Sequence, residues 1–388
     1  MKILIAGGGI GGLSLALACS HFDLDYEVFE AAPQIREIGA GIWVPPNAMK
    51  VMQRLGVSDA IVQQGWPMDM ANVGASETQV WQRIDSAWLK NNFGSGNVAI
   101  HRGKLQALLY HMLDSNKVHS GKRLVNLEQL NNKVTAVFED GSRAEGDCLI
   151  GADGIHSATR KVLFGELPLR YSGQTCWRGI VDYRLPKEMQ HLMYELWGKL
   201  PGQRFAYSHI NANSVYYYGT MAVEPGGKDD NATIKTTLHN YFDCFGERAA
   251  SIIEAIKPET IIRTDLYDLK PITNWVQGNA ALLGDAAHAT TPNLGQGAAQ
   301  AIEDAYILAY ELSKTSTTIN DALLHYQAMR IKKAHYIVNT SWMIAQMGNI
   351  KNPFLASIRD FMMRYTPDFA MRARLRKAYK TNFPDDRV

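Results

Sequence analysis

A run of glycines near the start of the chain has the spacing that brings backbone close to phosphate groups. Gly7, Gly9 and Gly12 fit the pattern G-x-G-x-x-G, between the apolar segment 3–6 and an apolar helical segment. The first glycine permits a tight turn, the second a close approach to a pyrophosphate, and the third close packing of helix on strand. The free N–H groups at the helix N-terminus favour phosphate charge. The pattern predicts a dinucleotide site.

An acidic residue stands where such a site needs one. Glu30 closes the next strand-like segment, 26–30, so the chain opens in the order strand, helix, strand of a βαβ unit. A carboxylate at this position accepts hydrogen bonds from ribose hydroxyls and repels the 2′-phosphate of NADP. Glu30 strengthens the dinucleotide prediction, but it does not separate NAD from FAD.

Two further motifs place an aspartate directly after an apolar segment. Asp153 opens Asp-Gly-x-x-Ser-x-x-Arg, which ends at Arg160, and Asp285 follows Gly284 at the end of the segment 280–283. A carboxylate there, flanked by glycine and alanine, leaves room for a ligand rich in hydroxyl groups. Each aspartate is also a good N-cap for a following helix, and that alternative stays open.

The elements that must position these motifs fall into two groups. Apolar segments without alternation predict a parallel sheet covered on both faces, at 3–6, 26–30, 148–152 and 280–283. Aromatic runs joined by Gly, Asn and Pro predict a second, mostly antiparallel sheet, at 193–197, 204–210 and 214–223. Helical spacing predicts helices at 11–21, 47–55, 104–113, 233–245, 249–256, 298–312 and 320–347.

Composition excludes several classes of protein. With 40 Lys and Arg against 38 Asp and Glu, the net charge is +2, so nucleic acid is not an expected partner, and we interpret the basic tail as a solvated helix face. The 4 cysteines form no Cys-x-x-Cys pair, so we expect no metal site. Scattered thiols suit a reducing compartment, which predicts a cytoplasmic location. No apolar run reaches the length of a membrane span.

With three separated motifs in this order, the chain resembles the single-component FAD-dependent aromatic hydroxylases, the flavoprotein monooxygenases related to p-hydroxybenzoate, salicylate and urate hydroxylases. The resemblance covers almost the whole chain. It implies an α/β fold with a Rossmann-like FAD-binding domain, an inserted, mostly antiparallel substrate domain and C-terminal helices. The expected boundaries are 1–70, 98–170 and 280–325 for the discontinuous FAD-binding domain, 71–97 and 171–279 for the substrate domain, and 326–388 for the C-terminal helical region.

The resemblance also implies non-covalently bound FAD and assigns residues to it. Glu30 should bind the adenosine ribose, and Asp285 the ribityl or pyrophosphate portion. Asp153 belongs to a motif associated with both FAD and NAD(P)H. The helix that starts near Gly297 should direct its N–H groups at the flavin's pyrimidine edge. The residues assigned to FAD are Gly9, Gly12, Glu30, Arg36, Arg102, Asp153, Asp285, Gly295 and Gly297.

The reaction implied by the family has two halves. NADPH or NADH, as a transient co-substrate, reduces FAD, and O2 then adds to give a C4a-hydroperoxyflavin whose distal oxygen passes to an electron-rich ring. The chain has no second G-x-G-x-x-G with a following acid, which fits a nicotinamide that binds only briefly. The chain also lacks the Cys pair of disulfide reductases and the Trp-x-Trp-x-Ile-Pro segment of tryptophan halogenases.

The side chains that bind a small aromatic or heteroaromatic substrate should come from the middle third of the chain, which is rich in aromatic residues. Arg204 opens a strand-like run and could hold an anionic ring. Tyr216 and Tyr218 share one strand face, and we expect Tyr207 on that face across a hairpin. An ordinary aromatic core remains the alternative for each side chain. The predicted catalytic residues are Arg204, His209 and Tyr216, and the predicted pocket residues are Trp177, Tyr207, Tyr218 and Pro292.

Other functions remain open from the sequence. A flavin-dependent epoxidase or alkene reductase would carry the same FAD motifs, and so would a non-catalytic flavoprotein that senses redox state. Substrate-stimulated NAD(P)H oxidation with incorporation of oxygen would separate a hydroxylase from a reductase or a sensor. The chain is expected to be a monomer or a homodimer.

Overall fold

The computed structural model describes residues 1–35, 39–383 and 385. Its strands are β1 (Lys2–Ala6), β2 (Asp25–Glu30), β3 (Gly41–Val44), β4 (Trp66–Pro67), β5 (Met70–Gly74), β6 (Val80–Asp85), β7 (Val98–His101), β8 (Val118–Ser120), β9 (Leu124–Leu130), β10 (Lys133–Phe138), β11 (Arg143–Gly146), β12 (Cys148–Gly151), β13 (Leu169–Asp182), β14 (Leu192–Trp197), β15 (Arg204–His209), β16 (Ser214–Met221), β17 (Ile262–Leu269), β18 (Val276–Gln277) and β19 (Ala280–Leu282).

The α-helices cover the first sheet, flank the second and form the C-terminal region. They are α1 (Ile10–His21), α2 (Pro46–Arg54), α3 (Ser58–Gln64), α4 (Ser86–Phe93), α5 (Arg102–His111), α6 (Ala158–Phe164), α7 (Ile234–Phe242), α8 (Glu247–Glu254), α9 (Asp285–His288), α10 (Gly297–Leu312), α11 (Ile319–Gly348), α12 (Pro353–Arg364) and α13 (Asp368–Tyr379). Within the described ranges, no helix is both long and apolar enough to cross a membrane.

The first sheet has six strands in the order β18-β19-β12-β1-β2-β8. Its strands run parallel except at the β18–β19 edge. The core strands β1 and β12 are apolar and buried because both of their faces are covered. Helices α1 and α10 pack on one face, and the three-stranded sheet β11-β10-β9 covers the other. The carboxyl ends of β1, β12 and β19 therefore lie side by side, and the three glycine and aspartate motifs follow them directly.

The second sheet has seven strands in the order β17-β13-β16-β15-β14-β5-β6. All its pairs are antiparallel except β14 with β5. One face carries a separate apolar core together with α7 and α8, and the other face turns toward the first sheet. The 14-residue strand β13 lies between β17 and β16 and was not predicted from the sequence.

Candidate active site

The glycine motif forms a tight loop between β1 and α1. Gly7 has φ +114°, and a Cβ on Gly12 would stand 1.9 Å from the Gly7 carbonyl oxygen, so neither position tolerates a side chain. A Cβ on Gly9, by contrast, would meet nothing within 4 Å. Gly9 precedes the first turn of α1 and faces open space at its N-terminus. This arrangement offers free N–H groups to a bound phosphate.

The carboxylate of Glu30 lies beside this loop. It accepts hydrogen bonds from the backbone N–H of Gly8 at 2.6 Å and of Ala32 at 2.7 Å. These two contacts fix the carboxylate at the end of β2, next to the turn. Arg36, which was predicted with Arg102 to approach the FAD chain, lies outside the described residues.

Asp153 supports the helix that follows it. Its carboxylate accepts hydrogen bonds from the N–H and the hydroxyl of Thr159, both at 2.9 Å, and from the Ser157 hydroxyl. Arg160 then donates to the carbonyl of Ala286 at 2.9 Å, which ties this motif to the one at Asp285. Asp153 itself does not line the central cavity, although Ala152 and Gly154 on either side of it do.

Asp285 stands at the cavity wall, at the start of α9. Its side chain is exposed to the cavity, and the surrounding protein desolvates the carboxyl and raises its pKa, against the opposing charges of His288, Arg102 and Arg160. Arg102 and Asp285 line the same cavity. A carboxylate and a guanidinium there can bind hydroxyls and phosphates of one extended ligand.

His288 belongs to a buried network beneath this wall. Its Nε2 lies 2.6 Å from Oδ2 of Asp304, whose other oxygen accepts a hydrogen bond from Nε of Arg330 at 2.6 Å. The Gly284 N–H also donates to Asp304, at 3.1 Å. The network therefore anchors the turn that presents Asp285, and His288 is part of that support.

A cavity of about 340 Å³ lies between the two sheets. The motifs of the first sheet supply one wall, and the second sheet supplies the other. The residues from the first wall include Gly9, Arg102, Gly154, Asp285, Pro292, Gly295 and Gly297. The residues from the second wall are Cys176, Arg178, Arg204, Tyr216, Tyr218 and Thr220, with Ile42 and Trp43 at the junction.

The register of the β15–β16 hairpin decides which side chains face this cavity. Arg204 pairs with Thr220, and Ala206 pairs with Tyr218. Because cross-strand partners share a face and neighbours along a strand alternate, Arg204, Tyr216 and Tyr218 point the same way. All three line the cavity.

The opposite side of the sheet holds three residues that were predicted to lie in the pocket, namely Tyr207, Trp177 and His209. Tyr207 pairs with Tyr217, not with Tyr216 or Tyr218, so the shared face predicted for it is wrong. Its hydroxyl donates to the Glu77 carboxylate. Trp177 lies on that same side, in the core packed by α7 and α8, and its Nε1 donates to Asp229 at 2.8 Å.

His209 also faces away, and its position in the pocket was predicted wrongly. One ring nitrogen, Nε2, accepts a hydrogen bond from the Leu185 N–H at 3.1 Å, and Nδ1 lies 2.6 Å from the Asn211 carbonyl. Burial lowers the pKa of His209, so the ring stays neutral with Nδ1 as the donor. Both nitrogens are engaged with backbone, and the ring supports the turn between β15 and β16.

A partly buried carboxylate on the cavity face of the second sheet was not predicted from the sequence. Glu195 on β14 accepts a hydrogen bond from the Tyr218 hydroxyl at 2.6 Å and from Nε1 of Trp197 at 2.9 Å. Nη1 of Arg204 lies 3.6 Å from the same carboxylate. Burial and Glu195 raise the pKa of Tyr218 well above its ordinary value, so the phenol keeps its proton and donates it to Glu195.

Two arginines carry donors that the chain itself does not use. Arg204 donates from Nη2 to Gln174 at 3.1 Å and to Asn293, and it is only 2% exposed. Nε of Arg204 and Nε of Arg178 are buried without a hydrogen-bond partner anywhere in the described chain. Buried donors are normally satisfied, so two unsatisfied nitrogens on arginines that line the cavity favour a ligand with acceptor atoms.

Cation ligands do not cluster in this site. In the ranges 1–35 and 39–383, and at 385, no group of three or more His, Cys, Asp and Glu side chains could hold a metal ion.

Comparison with known proteins agrees with this architecture. The family model described as FAD binding domain matches residues 1–341. Aurachin C monooxygenase/isomerase of Stigmatella aurantiaca is 35% identical over 377 residues, covering 97% of each chain. The 2-heptyl-3-hydroxy-4(1H)-quinolone synthase of Pseudomonas aeruginosa (strain PAO1) is 33% identical over 379 residues, covering 96% of each. The structure of Klebsiella pneumoniae HpxO complexed with FAD and uric acid superposes with a TM-score of 0.89 at 30% identity, covering 98% of this chain and 96% of that one.

The fold, the cavity and these relatives together define the class. The chain belongs to the FAD-dependent aromatic hydroxylase family. It is an enzyme, an FAD-dependent monooxygenase, and its fold is the α/β fold with a second, mostly antiparallel sheet that the motifs predicted. The cofactor prediction is confirmed for FAD.

Proposed function

We propose that the chain uses NAD(P)H and O2 to hydroxylate a small heteroaromatic substrate with a ring N–H or O–H next to a carbonyl group. One observation carries the proposal: Arg204 and the Tyr218–Glu195 pair face the dinucleotide motifs across a single cavity. Two relatives are named for aurachin C and a 4(1H)-quinolone, and a third was crystallised with uric acid; these compounds agree with a substrate of this class.

The residues on the first wall fit non-covalently bound FAD. The Gly9 backbone and the start of α1 suit the pyrophosphate, Glu30 the adenosine ribose, and Arg102 with Asp285 the chain between pyrophosphate and ring. Gly295 and Gly297, at the N-terminus of α10, suit the pyrimidine edge. FAD held by these residues would accept hydride from NAD(P)H and activate O2. Asp153 supports the site indirectly. It holds the start of α6, and Arg160 of that helix donates to the Ala286 carbonyl next to Asp285.

The second wall prepares the substrate. The Tyr218 proton is directed at Glu195, so the phenol oxygen is free to accept a proton from a substrate N–H or O–H. As that proton arrives, the Tyr218 proton moves to the Glu195 carboxylate. Loss of the proton raises the electron density of the substrate ring, which an electrophilic oxygen donor requires.

Arg204 completes this arrangement. It is held by Gln174 and Asn293 and stacks over Trp197 at 5.0 Å, so its position is fixed before a ligand binds. Its guanidinium group lines the cavity and can bind the oxygen on which negative charge develops when the substrate loses a proton. Trp43 and Tyr216, whose ring centroids lie 5.5 Å apart, close the apolar side of the cavity and limit the access of water.

Two variants of the acid pair test the proposal. In Tyr218→Phe and in Glu195→Gln, kcat with the substrate should fall by about 10²-fold or more, because the proton acceptor is lost. The double variant should be little slower than either single variant, since the two groups act as a unit. FAD content should be unchanged. Wild-type kcat in Tyr218→Phe would contradict the assigned role.

We also infer a cytoplasmic location. Cys19, Cys148 and Cys176 are buried and Cys244 is exposed, and all four are free thiols. Free thiols in a folded chain are typical of a reducing compartment.

A further inference from the structure

The last helices of the chain expose an apolar surface. Seven large apolar side chains between residues 354 and 369 are exposed by 40% to 76% of their area. We call this surface the C-terminal apolar face; its residues are Phe354, Leu355, Ile358, Phe361, Met362, Tyr365 and Phe369. So many large apolar side chains exposed within sixteen residues are rare on a protein that meets only water, and they mark a contact with another apolar phase.

Helix α12 is packed with its apolar side outward. Positions 354, 358, 361 and 365 follow helical spacing and share one face. On the opposite side the buried residues are Ala356 and the charged Arg359. Arg359 donates to the Gly198 carbonyl at 3.1 Å, lies over the Trp197 ring at 5.4 Å and pairs with Asp360 at 2.7 Å. These contacts hold the helix in an orientation that leaves its apolar side uncovered.

The same segment is strongly basic. From Lys351 to Lys380 the chain carries eight Lys and Arg residues and two Asp residues, although the whole chain has a net charge of only +2. Both aspartates already pair with arginines, Asp360 with Arg359 and Asp368 with Arg372. Exposed cations therefore flank the C-terminal apolar face, among them Lys351, Arg364 and Arg374.

We propose that the C-terminal apolar face docks the enzyme on the surface of an anionic lipid bilayer. Helices α12 and α13 would lie in the plane of the bilayer, with the apolar side chains at the acyl boundary and the cations among the headgroups. Charge argues against a second copy of the chain as the occupant. A two-fold interface would bring the same basic segment of both copies together, and like charges would oppose it.

The C-terminal apolar face is connected with the cavity through the side chain of Trp197. The Trp197 ring lies under two guanidinium groups, that of Arg204 in the cavity wall at 5.0 Å and that of Arg359 on α12 at 5.4 Å. A docked enzyme would therefore have its substrate sheet close to the bilayer. The inference goes beyond the proposed hydroxylation and does not depend on it, because binding to lipid can be measured without substrate.

Flotation of the FAD-loaded enzyme with lipid vesicles tests the proposal. We expect the protein to float with phosphatidylglycerol vesicles, to remain unbound with phosphatidylcholine vesicles, and to be released as NaCl is raised. The triple variant Phe354→Ser, Phe361→Ser, Phe369→Ser should bind phosphatidylglycerol vesicles at least about 100-fold more weakly, since three large apolar side chains no longer enter the bilayer.

A matched variant controls for the general loss of exposed apolar area. Met112→Ser, Leu130→Ser, Leu324→Ser changes three exposed side chains on other elements and should bind as the wild type does. All variants should keep the FAD content and the circular dichroism of the wild type. Failure of the wild type to bind either vesicle, or equal binding to both, would overturn the proposal. So would a lipid-free wild-type dimer that the Phe-to-Ser variant converts to a monomer.

Discussion

At the scale of single residues, the direction in which a side chain leaves its strand decides its function. Arg204 and Tyr207 lie three positions apart on β15, yet one lines the cavity and the other packs in the core on the far side. The sequence predicted the strands but not the pairing between them. Alternation along β15 places Arg204 and Tyr207 on opposite faces in any register. The three-residue loop 211–213 closes the hairpin with Ile210 opposite Ser214, and this register places Tyr207 opposite Tyr217, away from Tyr216 and Tyr218.

Arg204 offers the clearest test of the substrate wall. The Arg204→Ala variant lacks a charge-assisted contact, so kcat/KM should fall by about 10- to 100-fold. A larger share of the NAD(P)H oxidised should reduce O2 to hydrogen peroxide instead of yielding hydroxylated product. Steady-state kinetics with peroxide detection measure both effects. FAD content should not change, because Arg204 lies outside the three flavin motifs.

Tyr207→Phe serves as the matched control on the same strand. It removes a hydroxyl that faces Glu77 on the other side of the sheet, so the variant should keep wild-type kcat/KM and coupling. Equal damage from the two substitutions would show that the sheet acts only through its stability, and the assignment of Arg204 to the substrate would fail.

Glu30 offers a corresponding test of the cofactor wall. In Glu30→Ala, the hydrogen bonds to ribose are lost and the Gly8 N–H loses its partner, so FAD binding should weaken by roughly 1–3 kcal/mol. Titration of the apoprotein with FAD, followed by flavin fluorescence, measures the change. An unchanged dissociation constant would remove Glu30 from the site.

At the scale of elements, two long helices hold the turn that presents Asp285. Asp304 on α10 binds His288 and Gly284, and Arg330 on α11 binds Asp304 and Glu303. The apolar spacing of the two helices predicted their positions in the chain, but it did not predict these polar contacts. Helical spacing shows which face is buried, whereas the pairing of buried charges depends on how two distant segments cross.

Asp304 gives this network a measurable pH dependence. Burial raises the pKa of its carboxyl, but His288 and Arg330 outweigh burial and lower the pKa to about 2. Because an unfolded aspartate titrates near pH 4, the gain in stability is complete above roughly pH 4 and is lost as the pH falls toward 2. The shift corresponds to about 2 kcal/mol at neutral pH.

Asp304→Asn should therefore lower the free energy of unfolding by about 3–5 kcal/mol at neutral pH, because it leaves buried partners of the carboxylate uncompensated. Urea unfolding at several pH values measures this difference, which should narrow below pH 4. A difference that stays constant down to the lowest accessible pH would contradict the role given to the carboxylate.

At the scale of the whole molecule, the active site is the junction of two sheets. The three motifs of the first sheet could be found in the sequence because glycine and aspartate stand at fixed places after apolar strands. The second wall could not be found in the same way. Glu195 sits in an aromatic strand where one acidic residue looks like a solvent-facing position, and only the fold brings it to Tyr218.

Incorporation of isotopically labelled O2 tests the central claim, that these two walls together hydroxylate a heteroaromatic ring. The purified enzyme, NAD(P)H and labelled O2 are incubated with a panel of quinolones, purines and phenols, and the products are analysed by mass spectrometry. We predict that one substrate class stimulates NAD(P)H oxidation and gains one labelled oxygen atom, and that Tyr218→Phe loses most of this product. Oxidation of NAD(P)H that is coupled to reduction of the added compound, without label in any product, would contradict it.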